Sequence, residues 1–334
     1  MSDPKRRARL LLWLRIVLSL GLLAVLVIKS PEKKFSGIIP SDNHARTITF
    51  LVLALVMALT GVVLQSWRWQ CVLRLYKCEI PLRRLIRHML VGLFVGNVLP
   101  STIGGDVIRV SRVGVDTNSS EIAFASVALE RMTGFIALPL LVAIGLALKP
   151  SLLSEEHAWL APVIALGTLA VLGLIVLLAA HPRFGGRFKD RENWTRFVGA
   201  LHSGVDDARA NPRQALAIMG VSMLYQASVI MSVVFIATAI EIPAPVIAII
   251  AFLPAVAMVQ VLPISLSGLG VREGMLVLFL VPLGVARDSA IGLGLMWYAS
   301  LLIVSVLGAP AFAAGKRKRM PAAPRSPAPV GTES

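Results

Sequence analysis

The sequence predicts an all-α polytopic membrane protein, with about six full spans and two broken, re-entrant hairpins arranged as an inverted repeat. The chain of 334 residues is 56% hydrophobic and 15% charged, which leaves too little polar surface for a soluble domain. Several apolar runs approach the ~20 residues that a helix needs to cross the ~30 Å hydrocarbon core. The basic residues cluster in short segments between these runs, as membrane topology requires.

The apolar runs predict the spans in chain order. Full spans are predicted at 10–28, 47–66, 122–148, 159–180, 214–240 and 290–314. The first run resembles a signal peptide, but it is long and no small-residue cleavage site follows, so we expect a retained span. Two further apolar segments, near 88–105 and 246–283, contain proline and glycine and are predicted to be broken.

The charged connections predict the topology. The strongly basic segments 67–88 and 181–213 belong in the cytosol, because cytoplasmic loops carry the excess of Lys and Arg. The acidic connections 149–158 and 241–245 are then external. In this arrangement the basic loop 29–46 would be external, against the positive-inside pattern. The charges of the remaining loops favour the arrangement nevertheless. Both termini are therefore expected in the cytoplasm, in a multi-pass protein of the plasma (inner) membrane.

The two broken segments are predicted to open to opposite sides. Basic residues flank 88–105 at both ends, so this segment enters and leaves from the cytosol. A full crossing there would place the basic segment 181–213 outside. The segment 246–283 must instead enter and leave from the external side. We call them the first hairpin, taken as 88–110, and the second hairpin.

The two breaks resemble each other. "NVLPSTIGGDVIR" begins at residue 97 and "QVLPISLSGLGVR" at residue 260, a shift of 163 (260 − 97). The halves 10–148 and 159–314 each contain two spans, a hairpin and one span, which favours a repeat over a chance likeness of two Pro/Gly breaks. A basic N-terminus at 1–9 and a Pro- and Ala-rich tail at 315–334, expected to be disordered and cytoplasmic, flank them.

Corresponding interrupted helices in two inverted halves indicate a transport site near the bilayer midplane. Proline ends the helical hydrogen-bond ladder, and glycine allows the backbone to turn and to approach a ligand. The freed amides and the arginines suit an anion such as phosphate. The predicted substrate-binding and translocation residues are Asn97, Pro100, Ser101, Thr102, Gly104, Gly105, Asp106, Arg109, Glu130, Arg131, Gln260, Pro263, Ser265, Ser267, Gly268, Gly270, Arg272 and Glu273.

The carboxylates among these residues allow three interpretations. Asp106 and Arg109 lie three apart and can pair on one helical face. Asp106, Glu130 and Glu273 are then structural ion-pair partners of the hairpins. Alternatively, Glu130 or Glu273 couples protons, or a carboxylate contacts the substrate headgroup.

Other motifs exclude several classes. Cys71 and Cys78 lie seven apart without a CxxC motif, and the histidines lack metal-ligand spacing, so no metal and no cofactor is expected. No nucleotide-binding or hydrolase motif occurs, so transport is secondary or passive. The net charge of +15 reflects the positive-inside pattern rather than nucleic-acid binding. Trp67 and Trp69 beside Arg68 are typical of a cytosolic aromatic belt.

Three stretches, "VGLFVGNVLPSTIGGDVIR", "ALERMTGF" and "LPISLSGLGVREG", resemble the lysylphosphatidylglycerol synthase transmembrane (flippase-like domain) family. The resemblance covers about 10–315. It implies leaflet exchange of aminoacylated phosphatidylglycerol, as in the bifunctional multiple peptide resistance factor, or a role in glycolipid, polyprenyl-phosphate or hopanoid pathways. No soluble aminoacyl-transferase domain follows residue 315, so we expect a stand-alone member without the synthetase domain. The motif residues carried over are Asn97, Pro100, Gly104, Gly105, Asp106, Arg109, Glu130, Arg131, Pro263, Ser267, Gly268, Gly270, Arg272 and Glu273.

The expected function is that of a lipid transporter or flippase, not of an enzyme. Its substrate would be an anionic or phosphate-bearing lipid of the phospholipid, aminoacyl-phospholipid or polyprenyl-phosphate type. The alternatives are a lipid-modifying transferase with Asp106 or Glu130 as base, a scaffold of a glycolipid pathway, and a small-solute carrier. The expected partners are the lipid itself and enzymes of lipid or glycan biosynthesis, with no nucleic acid.

Overall fold

The computed structural model describes residues 43–98, 104–180, 202–262, 265 and 267–314. Within these ranges the chain is helical and contains no strand, which confirms the all-α prediction. The helices are α1 His44–Leu75, α2 Leu82–Val98, α3 Gly104–Thr117, α4 Ser120–Leu148, α5 Leu160–Ala180, α6 Pro212–Ala239, α7 Val246–Gln260, α8 Val271–Leu280, α9 Arg287–Val306 and α10 Ala309–Ala313. The predicted span 10–28 and the tail 315–334 lie outside the described residues.

Four of the helices, α1, α4, α6 and α9, are long and apolar enough to cross a membrane. They coincide with the predicted spans at 47–66, 122–148, 214–240 and 290–314, and shorter apolar helices cover Leu160–Ile175 and Val246–Gln260. The protein is therefore a polytopic membrane protein.

The predicted cytosolic aromatic belt is not found at Trp69. α1 continues to Leu75, and Arg68 and Trp69 are buried inside the protein rather than lying in a cytosolic aromatic belt. The physical reason is that Arg68 meets a buried carboxylate, so its charge is neutralised by the protein and does not mark a membrane surface.

Local sequence sets the helix ends. Asn43 caps α1 by accepting a hydrogen bond from the Arg46 amide at 3.1 Å, and Ser119 caps α4 by accepting one from the Ile122 amide at 3.1 Å. Between α7 and α8 the backbone of Ser267, Gly268 and Gly270 has positive φ, and this turn leads the chain into α8, which begins after Gly270.

The first hairpin folds back on itself. α2 ends at Val98, α3 begins at Gly104, and the two helices pack antiparallel. Gly105 lies so close to Gly92 that a Cβ at Gly105 would be 2.5 Å from the Gly92 carbonyl oxygen. At the other end Arg84 pairs with Asp116 at 3.3 Å. The described helices of the first hairpin thus extend beyond the predicted 88–110.

The helix bounds follow the 163-residue shift. The shift carries α1 to 207–238, α2 to 245–261, α3 to 267–280 and α4 to 283–311, and α6, α7, α8 and α9 are observed at 212–239, 246–260, 271–280 and 287–306. The packing follows it too, because α4 contacts α7 as α9 contacts α2, and α4 contacts α6 as α9 contacts α1.

The helices α1 and α6 run antiparallel. Arg46 near the start of α1 pairs with Glu241 just after α6 at 3.0 Å. Midway, the Ser232 hydroxyl donates to the Ala54 carbonyl at 2.8 Å, and near the end of α1 Gln214 donates to the Cys71 carbonyl at 3.2 Å. The largest apolar core lies beside this pair, between α4, α6, α7, α8 and α9, with Phe252 stacked on Phe279 at 4.7 Å.

Candidate functional site: a buried charge cluster at the first hairpin

Glu130 lies at the centre of the buried charges. Its side chain has 0% exposure, and α4 holds it between α1 and α3. Oε1 accepts hydrogen bonds from Arg68 Nη2 and, at 3.4 Å, from Gln65 Nε2, while Oε2 accepts one from Arg109 Nη2 at 2.9 Å. One carboxylate therefore joins guanidinium groups from two other helices, which is the condition for keeping such charges inside a protein.

Asp106 forms a second, more open junction. Its Oδ1 lies 3.3 Å from Arg109 Nη1, and its Oδ2 lies 2.6 Å from Arg131 Nε. The exposed side-chain fractions are 20% for Asp106 and 42% for Arg131, against 4% for Arg109. The charge network thus extends from Glu130, which is fully buried, to Arg131, which is partly exposed.

Aromatic rings support both buried arginines. The Arg109 guanidinium lies 4.3 Å from the Trp69 ring centroid, and the Arg68 guanidinium lies 4.9 Å from the Tyr225 ring centroid. The Trp69 indole in turn donates to Ser126 Oγ at 3.1 Å. Cation–π contacts of this kind stabilise arginine where water is excluded.

α4 approaches Arg68 at Gly134. A Cβ at Gly134 would lie 2.7 Å from Arg68 Nη1, so a larger residue there would force the guanidinium to move. Two of the Arg68 nitrogens, Nε and Nη1, are buried and have no hydrogen-bond partner in the part of the chain that the structure describes, as is also true of Nε of Arg109.

A polar cavity of about 140 Å³ opens beside this network. Its wall combines charged and amide side chains with the glycines of the hairpin contact. The lining residues are Gln65, Met89, Gly92, Leu93, Gly96, Asn97, Gly105, Asp106, Arg109 and Arg131. We call it the hairpin cavity. Around it three guanidinium groups, those of Arg68, Arg109 and Arg131, face two carboxylates, so the cluster carries one net positive charge.

The second hairpin is electrically different. Arg272 and Glu273 are both buried and pair with each other, with Arg272 Nη2 2.7 Å from Glu273 Oε1. Glu273 Oε2 accepts from the Gly270 amide at 2.6 Å, and the Arg272 guanidinium lies 4.9 Å from the Tyr298 ring centroid. In the second hairpin the charges of Arg272 and Glu273 thus neutralise each other within α8. The buried Ser265 hydroxyl has no partner among the described residues.

The predicted site residues are therefore found in two places. The structure brings Asn97, Gly105, Asp106, Arg109 and Arg131 together at the hairpin cavity, with Glu130 directly behind Arg109. Gly104 begins α3, while Gln260, Ser265, Ser267, Gly268, Gly270, Arg272 and Glu273 surround the break of the second hairpin. Pro100, Ser101, Thr102 and Pro263 lie outside the described residues.

Two members of the first cluster were not predicted. The sequence places Arg68 in a cytosolic flank and Gln65 within an apolar span. The signal for both residues is their spacing, because polar side chains three residues apart lie on the same face of a helix. In a run that is otherwise apolar, such a face points into the protein. Glu130 needs a basic partner at membrane depth, and the basic residues nearest to it in sequence do not include Arg68.

The ion-pair interpretation is the one that these contacts support for Glu130 and Glu273. Proton coupling through either residue stays a prediction. Among the described residues there is no cluster of His, Cys, Asp and Glu that could hold a metal ion. Cys71 and Cys78 are free thiols, and burial raises the pKa of Cys78.

Apolar spans, two helix breaks and a sealed charge cluster beside a polar cavity define a helical membrane protein with a polar site within its helices. The family described as the lysylphosphatidylglycerol synthase TM region matches residues 12–308, and the chain belongs to this family. No curated protein matches the chain. The suspected family is thereby confirmed, and with it a membrane protein with a lipid-related role.

Proposed function

We propose that the protein moves an anionic or phosphate-bearing lipid between the leaflets of the plasma membrane, without changing the lipid covalently. The observation that carries the proposal is the hairpin cavity, a polar space beside a helix break in a protein of apolar spans. Arg109 and Arg131 contribute positive charge to its wall, and Asn97 and Gln65 contribute amides. Guanidinium groups bind phosphate oxygens in a fixed fork geometry.

The proposal includes an inverted repeat. The antiparallel packing of α1 against α6, and the matched contacts of α4 with α7 and α9 with α2, support it. Corresponding broken helices in inverted halves are typical of transporters. The N- and C-termini would then be cytoplasmic, and enzymes that make the lipid or its glycan are proposed partners.

The contacts of Glu130 argue against the rival role of a transferase base. Both of its oxygens are bonded to guanidinium groups, and its side chain has no access to a substrate. A general base must come within hydrogen-bond reach of the proton that it removes, and a fully buried carboxylate cannot do so. Asp106 is the more accessible carboxylate, so the transferase alternative depends on that residue.

Leaflet exchange by the purified full chain in phospholipid vesicles tests the proposal. The vesicles carry a head-labelled anionic lipid, and a membrane-impermeant quencher reports the fraction in the outer leaflet. The variant Arg131→Gln removes a cavity cation and should slow exchange of the anionic lipid about tenfold. The matched control is Arg84→Gln, which removes an exposed arginine that pairs with Asp116 away from the cavity.

Two results would contradict the proposal. One is equal exchange rates for Arg131→Gln and the parent protein. The other is a change in lipid mass during the assay, which would indicate a transferase. Exchange that stays at the rate of protein-free vesicles with every anionic lipid would favour the scaffold alternative.

A further inference from the structure

We propose that Asp106 binds Arg109 and Arg131 in the way that the substrate's anionic group does, and that a lipid phosphodiester displaces it from both guanidinium groups. The inference rests on the proposed function, because it assigns a role within the same cavity. It also narrows the substrate to a headgroup that carries one negative charge on two free oxygens.

The geometry of Asp106 carries the first step. Its two oxygens receive donors from two different elements, since Arg109 is on α3 and Arg131 is on α4. The carboxylate itself lies in the cavity wall. A phosphodiester also presents two equivalent oxygens and one negative charge, so it can accept from the same two donors without altering the charge balance of the cluster.

Of the two carboxylates in the cluster, only that of Asp106 can be displaced by a substrate. Glu130 has no exposed surface and does not line the cavity, and removing it would leave the buried Arg68 without a counter-charge. Asp106 is 20% exposed, and its partner Arg131 is 42% exposed. An ion pair at such a position contributes little net stability, because water competes for both partners. Glu130 therefore holds Arg109 in place while Asp106 is released.

The displacement of Asp106 predicts that removing its charge affects lipid binding and leaflet exchange in opposite directions. An internal carboxylate competes with the substrate for the same donors, so removing its charge strengthens binding. The same carboxylate also helps to release the bound headgroup, because it returns to Arg109 and Arg131 as the headgroup leaves. Removing its charge should therefore slow leaflet exchange. A purely structural aspartate would weaken binding and exchange together.

The test is a calorimetric titration of the full chain in uncharged detergent with dihexanoyl phosphatidylglycerol, a monoanionic phosphodiester. Asp106→Asn should bind this lipid about threefold or more tightly than the parent protein. Its leaflet exchange in vesicles should be slower. The control Asp116→Asn removes an aspartate at the far end of the same helix, where it pairs with Arg84 and His88, and should change neither quantity.

A second titration with inorganic phosphate separates the lipid from the free ion. We expect weak binding of phosphate and no competition with the lipid at equal concentration. Tight binding of free phosphate would overturn the assignment of a lipid headgroup. If Asp106→Asn does not fold, as judged by its thermal unfolding, Asp106→Ser makes the same prediction with a smaller side chain.

The inference and the proposed function fail in different ways. Unchanged or weaker lipid binding by Asp106→Asn, in a protein that still exchanges lipid between leaflets, overturns the role of Asp106 alone. A parent protein that neither binds the anionic lipid nor exchanges it overturns the proposed function.

Discussion

Glu130 is the residue on which the buried arginines of the first hairpin depend. Replacing it by glutamine keeps the side-chain shape but removes the counter-charge of Arg68 and leaves Arg109 with Asp106 alone. Breaking a buried ion pair by removing one partner destabilises a protein by about 3–5 kcal/mol. We therefore expect Glu130→Gln to lower the thermal unfolding midpoint in detergent markedly.

The matched control for this prediction is Glu241→Gln. Glu241 also pairs with an arginine, Arg46, but both side chains are about half exposed. An exposed pair contributes about 0–1 kcal/mol, so the midpoint should hardly move. Similar midpoints for the two variants would show that the Glu130 cluster does not stabilise the fold.

Residue identities predicted the site only in part. The spacing of Asp106 and Arg109 on one helix face predicted their contact, and it is found at 3.3 Å. The contact of Glu130 with Arg68 joins residues 62 positions apart, and no local spacing encodes it. Hydropathy assigned Arg68 to a membrane flank because an arginine next to tryptophan normally marks that boundary.

At the scale of helices, the first hairpin depends on the contact of Gly105 with Gly92. A Cβ at Gly105 would lie 2.5 Å from a backbone oxygen, which no side-chain rotation can relieve. Gly105→Ala should therefore separate α2 from α3 and destabilise the protein by about 1–3 kcal/mol. The cavity beside the contact should widen, and binding of anionic lipid should weaken as Arg109 shifts from its partners.

Gly220→Ala on α6 is the control, because a Cβ there has nothing within 4 Å. Alanine favours a helix over glycine, so this variant should be neutral or slightly stabilised in thermal unfolding. Equal stability of the two variants would mean that the close approach of α2 and α3 is not required.

Proline and glycine predicted where the helices break, since both residues disfavour a continued helix. The helices α2 and α7 end at Val98 and Gln260, next to the prolines and glycines of the two predicted breaks. Helix ends were less predictable. α1 runs to Leu75 rather than to residue 66, because tertiary contacts of α1 with α4 and α6 compensate for its polar residues.

At the scale of the whole molecule, the proposed inverted repeat predicts the sidedness of the connections. Three exposed positions test it, each as a single cysteine in a protein with Cys71 and Cys78 replaced by serine. Glu79→Cys, between α1 and α2, should react with a membrane-impermeant maleimide from the cytosolic side. Glu156→Cys and Ala286→Cys, after α4 and before α9, should react only from the outside.

The pattern of labelling distinguishes the topologies. Labelling of Glu79→Cys and Glu156→Cys from the same side would mean that the first hairpin crosses the membrane fully. Labelling of Ala286→Cys from the cytosol would contradict the external opening of the second hairpin. Either result would remove the two-fold relation on which the transporter interpretation depends.

The adjacent pair Arg272–Glu273 has a mechanical consequence. Because both charges belong to neighbouring residues of α8, a swing of that helix carries cation and anion together and exposes no lone charge to lipid. Arg109 and Glu130 sit on separate helices, so any displacement of α3 must pull opposite charges apart. A displacement of α3 would therefore separate charges that a displacement of α8 keeps together.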